Sequence, residues 1–236
     1  MSDYLKLTVE SNPVQLALLP IEEFTLGEIV GHWEVPDAIW ATDNDFEIPV
    51  LDMGLQAQAI DLPFIGWGSI SRKRRMMGTW HFYTEDYRFE GLWKKPAEIV
   101  NTYCKNCVEP NFSVYNQMPL AVAIWGTYRK RWIARWWQSR GIRVFVDMNV
   151  AEKFARLNLM GVPRGWKAYA TRGYDARLHA TEREFALACE HAESESILFV
   201  VYGGGKSVRD HCRQCGWLWF DETMTERRNK KEVIYG

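Results

Sequence analysis

The segment 109–150, EPNFSVYNQMPLAVAIWGTYRKRWIARWWQSRGIRVFVDMNV, constrains the fold of this chain more than any other stretch. Its pattern predicts a strand at 108–113, a helix at 119–140 that begins with a proline and ends before Gly141, and a strand at 143–148. Such a unit connects two parallel strands, because a parallel pair needs a long crossover.

The same alternation continues on both sides of this segment. Further strands are predicted at 79–84, 166–171, 197–202 and 217–220, and further helices at 86–95, 97–104, 151–160, 181–192 and 207–215. Repeated strand–helix units predict an α/β fold with a mostly parallel sheet. The pattern leaves open whether this sheet is barrel-like or open and doubly wound.

Charge is divided unevenly along the chain. Residues 1–66 hold 12 Asp and Glu against one Lys, a formal charge of −11, whereas residues 67–236 carry +10. Five prolines interrupt the first part, which argues against long helices there. We therefore expect an irregular acidic N-terminal segment at 1–66, with short strands, wrapped around a basic α/β domain at 67–236. A basic body attracts polyanions, but the two parts could equally neutralise each other within one fold.

Polar residues follow the two strands of the central unit. Glu109 and Asn111 end the first strand, and Asp147 and Asn149 end the second. Members of each pair are two positions apart and face the same side, at the sheet edge where parallel sheets bind ligands. Glu109 and Asp147 are thus candidates for acid–base catalysis or for a divalent-cation site, with Asn149 beside them. The alternative is that these residues cap the following helices.

Arginines supply candidate anion-stabilising groups. Trp125, Arg129, Trp132 and Trp136 share one face of the long helix. Arg129 stays charged, so it must meet a carboxylate, a carbonyl, a ring face or a bound anion. Together with Arg172, which ends the next strand, it is a catalytic candidate; the alternative is a structural ion pair.

Two segments favour contacts with phosphate. They are a glycine-rich turn with Gly203, Gly204, Gly205, Lys206 and Ser207, and a basic run with Arg72, Lys73, Arg74 and Arg75. A glycine turn between a strand and a helix points backbone N–H groups at an anion, although it can also be a tight turn that needs positive φ. Basic runs contact phosphates or form solvated loops. With Asn111, these residues form the predicted binding set.

The cysteines suggest a metal. Cys104 and Cys107 form one CxxC pair, and Cys212 and Cys215 form another, which predicts a structural zinc site with four thiolates. The alternative is four free thiols, because the separation is longer than in a zinc ribbon. An odd number of cysteines, with no secretory signal and no apolar stretch of membrane length, predicts a cytoplasmic protein without a membrane partner.

Several blocks resemble a family of uncharacterised domains found in phages, prophages, plasmids and bacterial chromosomes. The blocks are HFYTEDYRFEGLW (81–93), 109–149, NLMGVPRGWKAYATRGY (158–174) and ILFVVYGGGK (197–206). The family motif corresponds here to Asp86, Arg88, Asn111, Ser113, Tyr128, Arg129, Arg131 and Gly203. The resemblance implies an α/β fold and a mobile-element context, but no activity, and the cysteine pairs lie outside its pattern.

These observations predict a cytoplasmic mobile-element protein that engages phosphate-bearing ligands, either nucleic acid or a nucleotide, with or without catalysis. The alternative is a non-catalytic binding or adaptor protein that offers its Trp-rich or acidic surface to a protein partner.

Overall fold

A parallel sheet forms the centre of the molecule in a computed structural model, which describes residues 40–69 and 75–222. Its strands, numbered β1 to β7 in chain order, are Phe64–Gly66, Thr79–His81, Asn106–Val108, Arg143–Asp147, Ala168–Arg172, Leu198–Tyr202 and Leu218–Phe220. All neighbouring strands are parallel, and their order in the sheet is their order in the chain. The predicted α/β fold with a parallel sheet is confirmed.

The sheet curls into a nearly closed barrel. The strand order never reverses, so the sheet has no topological switch point of the doubly wound kind. Rings from distant strands meet inside it. The ring centroids of His81 in β2 and Tyr202 in β6 are 4.1 Å apart, and those of Phe64 in β1 and Phe220 in β7 are 4.8 Å apart. The barrel-like alternative is therefore the one that the chain adopts.

Within residues 40–69 and 75–222, four α-helices accompany the strands. They are α1 (Ala97–Val100), α2 (Leu120–Gln138), α3 (Leu178–Ala192) and α4 (Gly205–Cys215). α2 begins after Pro119, whose fixed φ suits a helix start, and Gly141 at φ 83° turns the chain into β4. α2, α3 and α4 each connect one strand to the next and run back along the outside of the barrel. The C-terminal ends of the strands therefore all lie at one edge of the barrel, together with the loops that lead into these helices.

The strands carry their apolar residues on both faces, as expected for a parallel sheet buried on both sides. Outside the barrel, Phe82 stacks on Trp137 of α2 with ring centroids 5.5 Å apart. Val144 and Val146 are fully buried in β4. Among the described residues, no helix is long and apolar enough to cross a membrane.

Local details differ from the sequence predictions. Strand β1 was not predicted, and β3 ends at Val108, where the predicted strand began. Segments 86–95 and 151–160, predicted as helices, form short 3-10 turns instead. Each of these 3-10 segments has only three or four residues, which is about one turn of helix. Within the predicted acidic segment, residues 1–39 lie outside the described residues, whereas β1 belongs to the sheet.

Candidate functional site

A cleft of about 980 Å³ lies at the C-terminal ends of the strands. It is lined by segments that follow β2, β3, β4 and β5 and by one face of α3. Asp86, Asn111, Asn149, Arg172 and Glu184 are among the lining residues. This edge is where β/α barrels hold their ligands, since the loops of several strands converge there. The cleft is therefore the candidate functional site.

Two amides from neighbouring strands meet in the cleft, as the sequence predicted. In the orientation that satisfies its neighbours, the Asn111 amide donates to Asp147 Oδ2 (3.2 Å) and accepts from Asn149 Nδ2 (3.1 Å). Both asparagines are half-buried and line the cleft. They hold each other in place while keeping an accessible edge.

Asp147 lies behind these amides and is fully buried. Its Oδ2 also accepts a hydrogen bond from Lys130 Nζ at 2.9 Å, and its Oδ1 accepts from the backbone N–H of Asn149 at 3.1 Å. Lys130 is itself buried and donates to Asn158 Oδ1 at 2.7 Å. Buried charges are tolerated when they are paired and hydrogen-bonded in this way. Asp147 is thus a buried, paired acid behind the two amides of the cleft.

Glu109 does not reach the cleft. It is fully buried and forms an ion pair with Arg131 of α2, and its Oε2 accepts from the backbone N–H of Asp147 at 3.2 Å. Arg131 also donates from Nε to the carbonyl of Met160 at 3.0 Å. A divalent cation between Glu109 and Asp147 would have to displace both Arg131 and Lys130. Across residues 40–69 and 75–222, no group of three or more His, Cys, Asp or Glu is arranged to hold a metal ion.

Arg129 meets a ring face, one of the four partners expected for it. Its guanidinium lies 4.1 Å from the centroid of Phe112 and 5.5 Å from that of Trp125. Burial lowers the pKa of Arg129, while Glu90 and Asp86 oppose that effect. The arginine of α2 that pairs with an acid is Arg131, so Arg129 has a packing role and does not line the cleft.

Arg172 does line the cleft, next to an aromatic ring and a second arginine. The guanidinium of Arg177 lies 4.2 Å from the centroid of Tyr174, and that of Arg172 lies 5.5 Å from it. Arg172 also donates to Glu222 at 3.0 Å, an exposed contact. Two cations beside one ring thus form a positive patch on the cleft wall.

Glu184 of α3 is a cleft residue that the sequence analysis did not select. Its Oε2 accepts a hydrogen bond from the buried Thr171 hydroxyl at 2.6 Å. Burial, and then the negative charge of Asp147, raise the pKa of Glu184 to about 8. A signal was present in the sequence: Glu184 lies three residues after Thr181 and four before Ala188, on the buried stripe of the helix.

The glycine-rich turn adopts the predicted conformation, but a carboxylate of the same chain fills it. Gly203, Gly204 and Gly205 all have positive φ, from 71° to 84°. A Cβ on Gly205 would lie 2.5 Å from Asp175 Oδ2, and Ser207 donates from its hydroxyl to Asp175. Asp175 thus occupies the start of α4, where a phosphate was expected. Lys206 is exposed and does not line the cleft.

The remaining predicted residues lie elsewhere. Arg72, Lys73 and Arg74 are outside the described residues, and Arg75 lies 4.9 Å from the ring centroid of Tyr103, away from the cleft.

The two cysteine pairs are on separate parts of the barrel. Cys104 and Cys107 have Sγ atoms 3.7 Å apart at β3, whereas Cys212 and Cys215 belong to α4, which follows β6. Strands β4 and β5 separate these positions in the sheet. Cys215 Sγ lies 3.4 Å from His211 Nε2. The described geometry gives the predicted four-thiolate zinc site no support.

Comparisons with known proteins give a family but no activity. The model of a family described as a domain of unknown function, DUF4417, matches residues 40–189. The "Gene 1 protein" of Mycobacterium phage D29 is 41% identical over 69 residues, which are 28% of this chain and 26% of that protein. The "Gene 1 protein" of Mycobacterium phage L5 is 39% identical over 69 residues, 28% of this chain and 30% of that protein. The chain therefore spans under a third of the length of these phage relatives, and no solved structure matches it.

Proposed function

The chain belongs to the DUF4417 family of domains of unknown function, as its motifs predicted, so we propose a function from the cleft itself. We propose that the cleft binds a phosphate-bearing ligand, namely a nucleotide that is either free or part of a single strand. The observation that carries this proposal is the pair of guanidinium groups beside Tyr174 on the cleft wall. Guanidinium groups match phosphate oxygens in shape and charge. The volume, about 980 Å³, lies within the range of small-ligand sites.

The rest of the cleft suits the other parts of a nucleotide. Asn111 and Asn149 present amides, which can donate to and accept from the edge of a base. Tyr115 lines the cleft and is 58% exposed, so its ring is open to stacking. Base stacking on an aromatic ring contributes about 1–3 kcal/mol and tolerates different bases. The cleft therefore combines phosphate, base-edge and stacking contacts.

The test is binding of the four nucleoside monophosphates and of short single-stranded DNA and RNA, measured across a salt series. We expect binding that weakens with salt, because released counterions drive phosphate contacts. Arg177→Ala should weaken binding roughly 10- to 100-fold, the equivalent of losing one charge-assisted hydrogen bond. Tighter binding of strands than of monophosphates would identify nucleic acid as the ligand.

Lys206→Ala is the matched control. It removes one exposed positive charge from the glycine-rich turn, outside the cleft, so binding should stay near the wild-type level. If Lys206→Ala weakens binding as much as Arg177→Ala does, the ligand lies at the turn and the cleft proposal is wrong. Absence of binding to every probe at low salt would also refute it.

A second candidate function is a protein contact through the start of α2. Leu120, Val122 and Trp125 are 57%, 47% and 37% exposed. Neighbouring exposed apolar side chains are a feature of interaction surfaces. Self-association that Val122→Ser abolishes, together with no nucleotide binding, would favour this alternative.

A further inference from the structure

Glu184 occupies an unusual position for a carboxyl group. It is half-buried on the cleft wall, and within the described part of the chain only Oε2 is hydrogen-bonded, by the Thr171 hydroxyl at 2.6 Å. The Thr171 hydroxyl donates, so Oε2 is an acceptor. When the carboxyl group is protonated and Thr171 remains the donor, the proton lies on Oε1, from which it can be donated to a ligand in the cleft.

The surroundings of Glu184 favour the protonated form. Asp147 of β4 presents a negative charge to it, and Arg177 and Arg183 present positive charges from the start of α3 and from α3 itself. Burial raises the pKa of Glu184 to about 8, because it outweighs the Thr171 hydrogen bond and the two arginines, all of which lower this pKa. Tyr83, after β2, also faces the two carboxyl groups, and burial raises its pKa well above the usual value. Glu184 is therefore neutral at pH 7.

Within residues 40–69 and 75–222, Glu184 Oε1 makes no hydrogen bond. Asp147 already accepts from Lys130 and from the backbone of Asn149, and the oriented amide of Asn111 donates to it as well. The Tyr83 hydroxyl is buried and interacts with Asp147. A hydrogen bond from Glu184 Oε1 is therefore left for a group that enters the cleft.

We propose that Glu184 recognises the ligand through its protonated carboxyl group, which donates a hydrogen bond from Oε1 to a phosphate oxygen. Arg177 supplies the positive charge beside it. This inference rests on the proposed function, because it names the group that selects the phosphate in the same cleft. An ionised glutamate at this position would instead repel the phosphate.

The consequence is a dependence of affinity on pH with a defined sign. A phosphate monoester is fully ionised above its second pKa of about 6, so its charge is constant above pH 7. Below pH 8 Glu184 holds its proton and binding is strong. Above pH 8 the proton must be taken up on binding, and the affinity should fall by up to about tenfold for each pH unit.

The experiment measures the affinity for inorganic phosphate and for the four nucleoside monophosphates by calorimetry between pH 7 and 9.5. Wild-type affinity should fall along this range. Glu184→Gln should bind about as tightly as wild type at pH 7 and should lose the pH dependence, because glutamine keeps an N–H donor at every pH. Glu190→Gln is the matched control: Glu190 also lies on α3 and lines the cleft, but Arg156 lowers its pKa, so the wild-type slope should persist.

A separate readout follows Glu184 without any ligand. With ¹³C-labelled glutamate, the carboxyl resonance that disappears in Glu184→Gln should titrate near pH 8. A midpoint in the usual range near 4.5 overturns the inference, as does ligand binding that is flat with pH or that keeps its slope in Glu184→Gln. Absence of binding at any pH removes the proposed function and this inference together, whereas a flat profile removes the inference alone.

Discussion

The buried ion pair between Glu109 and Arg131 predicts that Glu109 stabilises the fold and does not bind a ligand. Both side chains are fully buried, and the guanidinium of Arg131, a residue of α2, faces Glu109 and two backbone carbonyls. Glu109→Gln keeps the shape of the side chain but removes its charge. We expect a large loss of stability with no direct effect on the cleft.

The magnitude follows from burial. Removing one partner of a buried ion pair leaves an uncompensated charge, which costs about 3–5 kcal/mol. Glu109 also accepts from the backbone N–H of Asp147, so part of that contact is weakened too. For a chain of this size, the loss should lower the melting temperature by roughly 6–20 °C.

Equilibrium unfolding in urea measures this loss, and a double-mutant cycle assigns it to the pair. Arg131→Met should cost less in the Glu109→Gln background than in wild type, because the charge that it removes is already uncompensated. Glu190→Gln, which breaks the exposed pair with Arg156, is the control and should leave the melting temperature unchanged. If Glu109→Gln costs less than about 1 kcal/mol, or if it abolishes ligand binding at unchanged stability, then Glu109 does not have a structural role.

Three further predictions concern other parts of the barrel. The pKa of Glu184 is raised from 4.5 to about 8 in the folded state, so its contribution to stability is full below pH 4.5 and is lost as pH rises through 8. The melting temperature of Glu184→Gln relative to wild type should therefore increase between pH 5 and pH 9. A constant difference would contradict this. Oxidised glutathione should join Cys104 and Cys107, whose Sγ atoms are 3.7 Å apart, in a disulfide that mass spectrometry detects as two alkylation-resistant cysteines; recovery of both as free thiols would refute it. Gly205→Ala should destabilise the fold by about 1–3 kcal/mol in urea unfolding, because φ is +71° and the new Cβ would meet the carboxylate of Asp175; an unchanged midpoint would be the contrary result.

The alternation of strand and helix patterns was enough to predict the fold class. Strands such as β4 and β6 are rich in β-branched and aromatic residues, and Pro119 and Gly141 delimit α2. β1 was missed because its three residues, between Pro63 and Trp67, are too few to display a period. Closure of the sheet into a barrel could not be predicted from the sequence either, because it depends on contacts between the first strand, β1, and the last strand, β7.

Part of the site could be predicted from the sequence, because residues that follow parallel strands lie at one edge of the sheet. Spacing placed Asn111, Asp147 and Asn149 at one edge, and the structure brings these three together. Spacing could not reveal that Lys130 would neutralise Asp147 from the helix, since two residues that are 17 positions apart meet only through the crossover.

The distribution of buried charge also explains why the chemistry of the cleft should rest on Glu184 and not on the acids that the sequence favoured. Glu109 and Asp147 each have a buried cation as partner, which occupies carboxylate oxygens that a ligand would otherwise meet. Glu184 has no ion pair among the described residues, and it meets the charge of Asp147 instead. Of these three acids, the one that forms no ion pair within the described residues is therefore the one whose carboxyl group can donate a proton to a ligand at neutral pH.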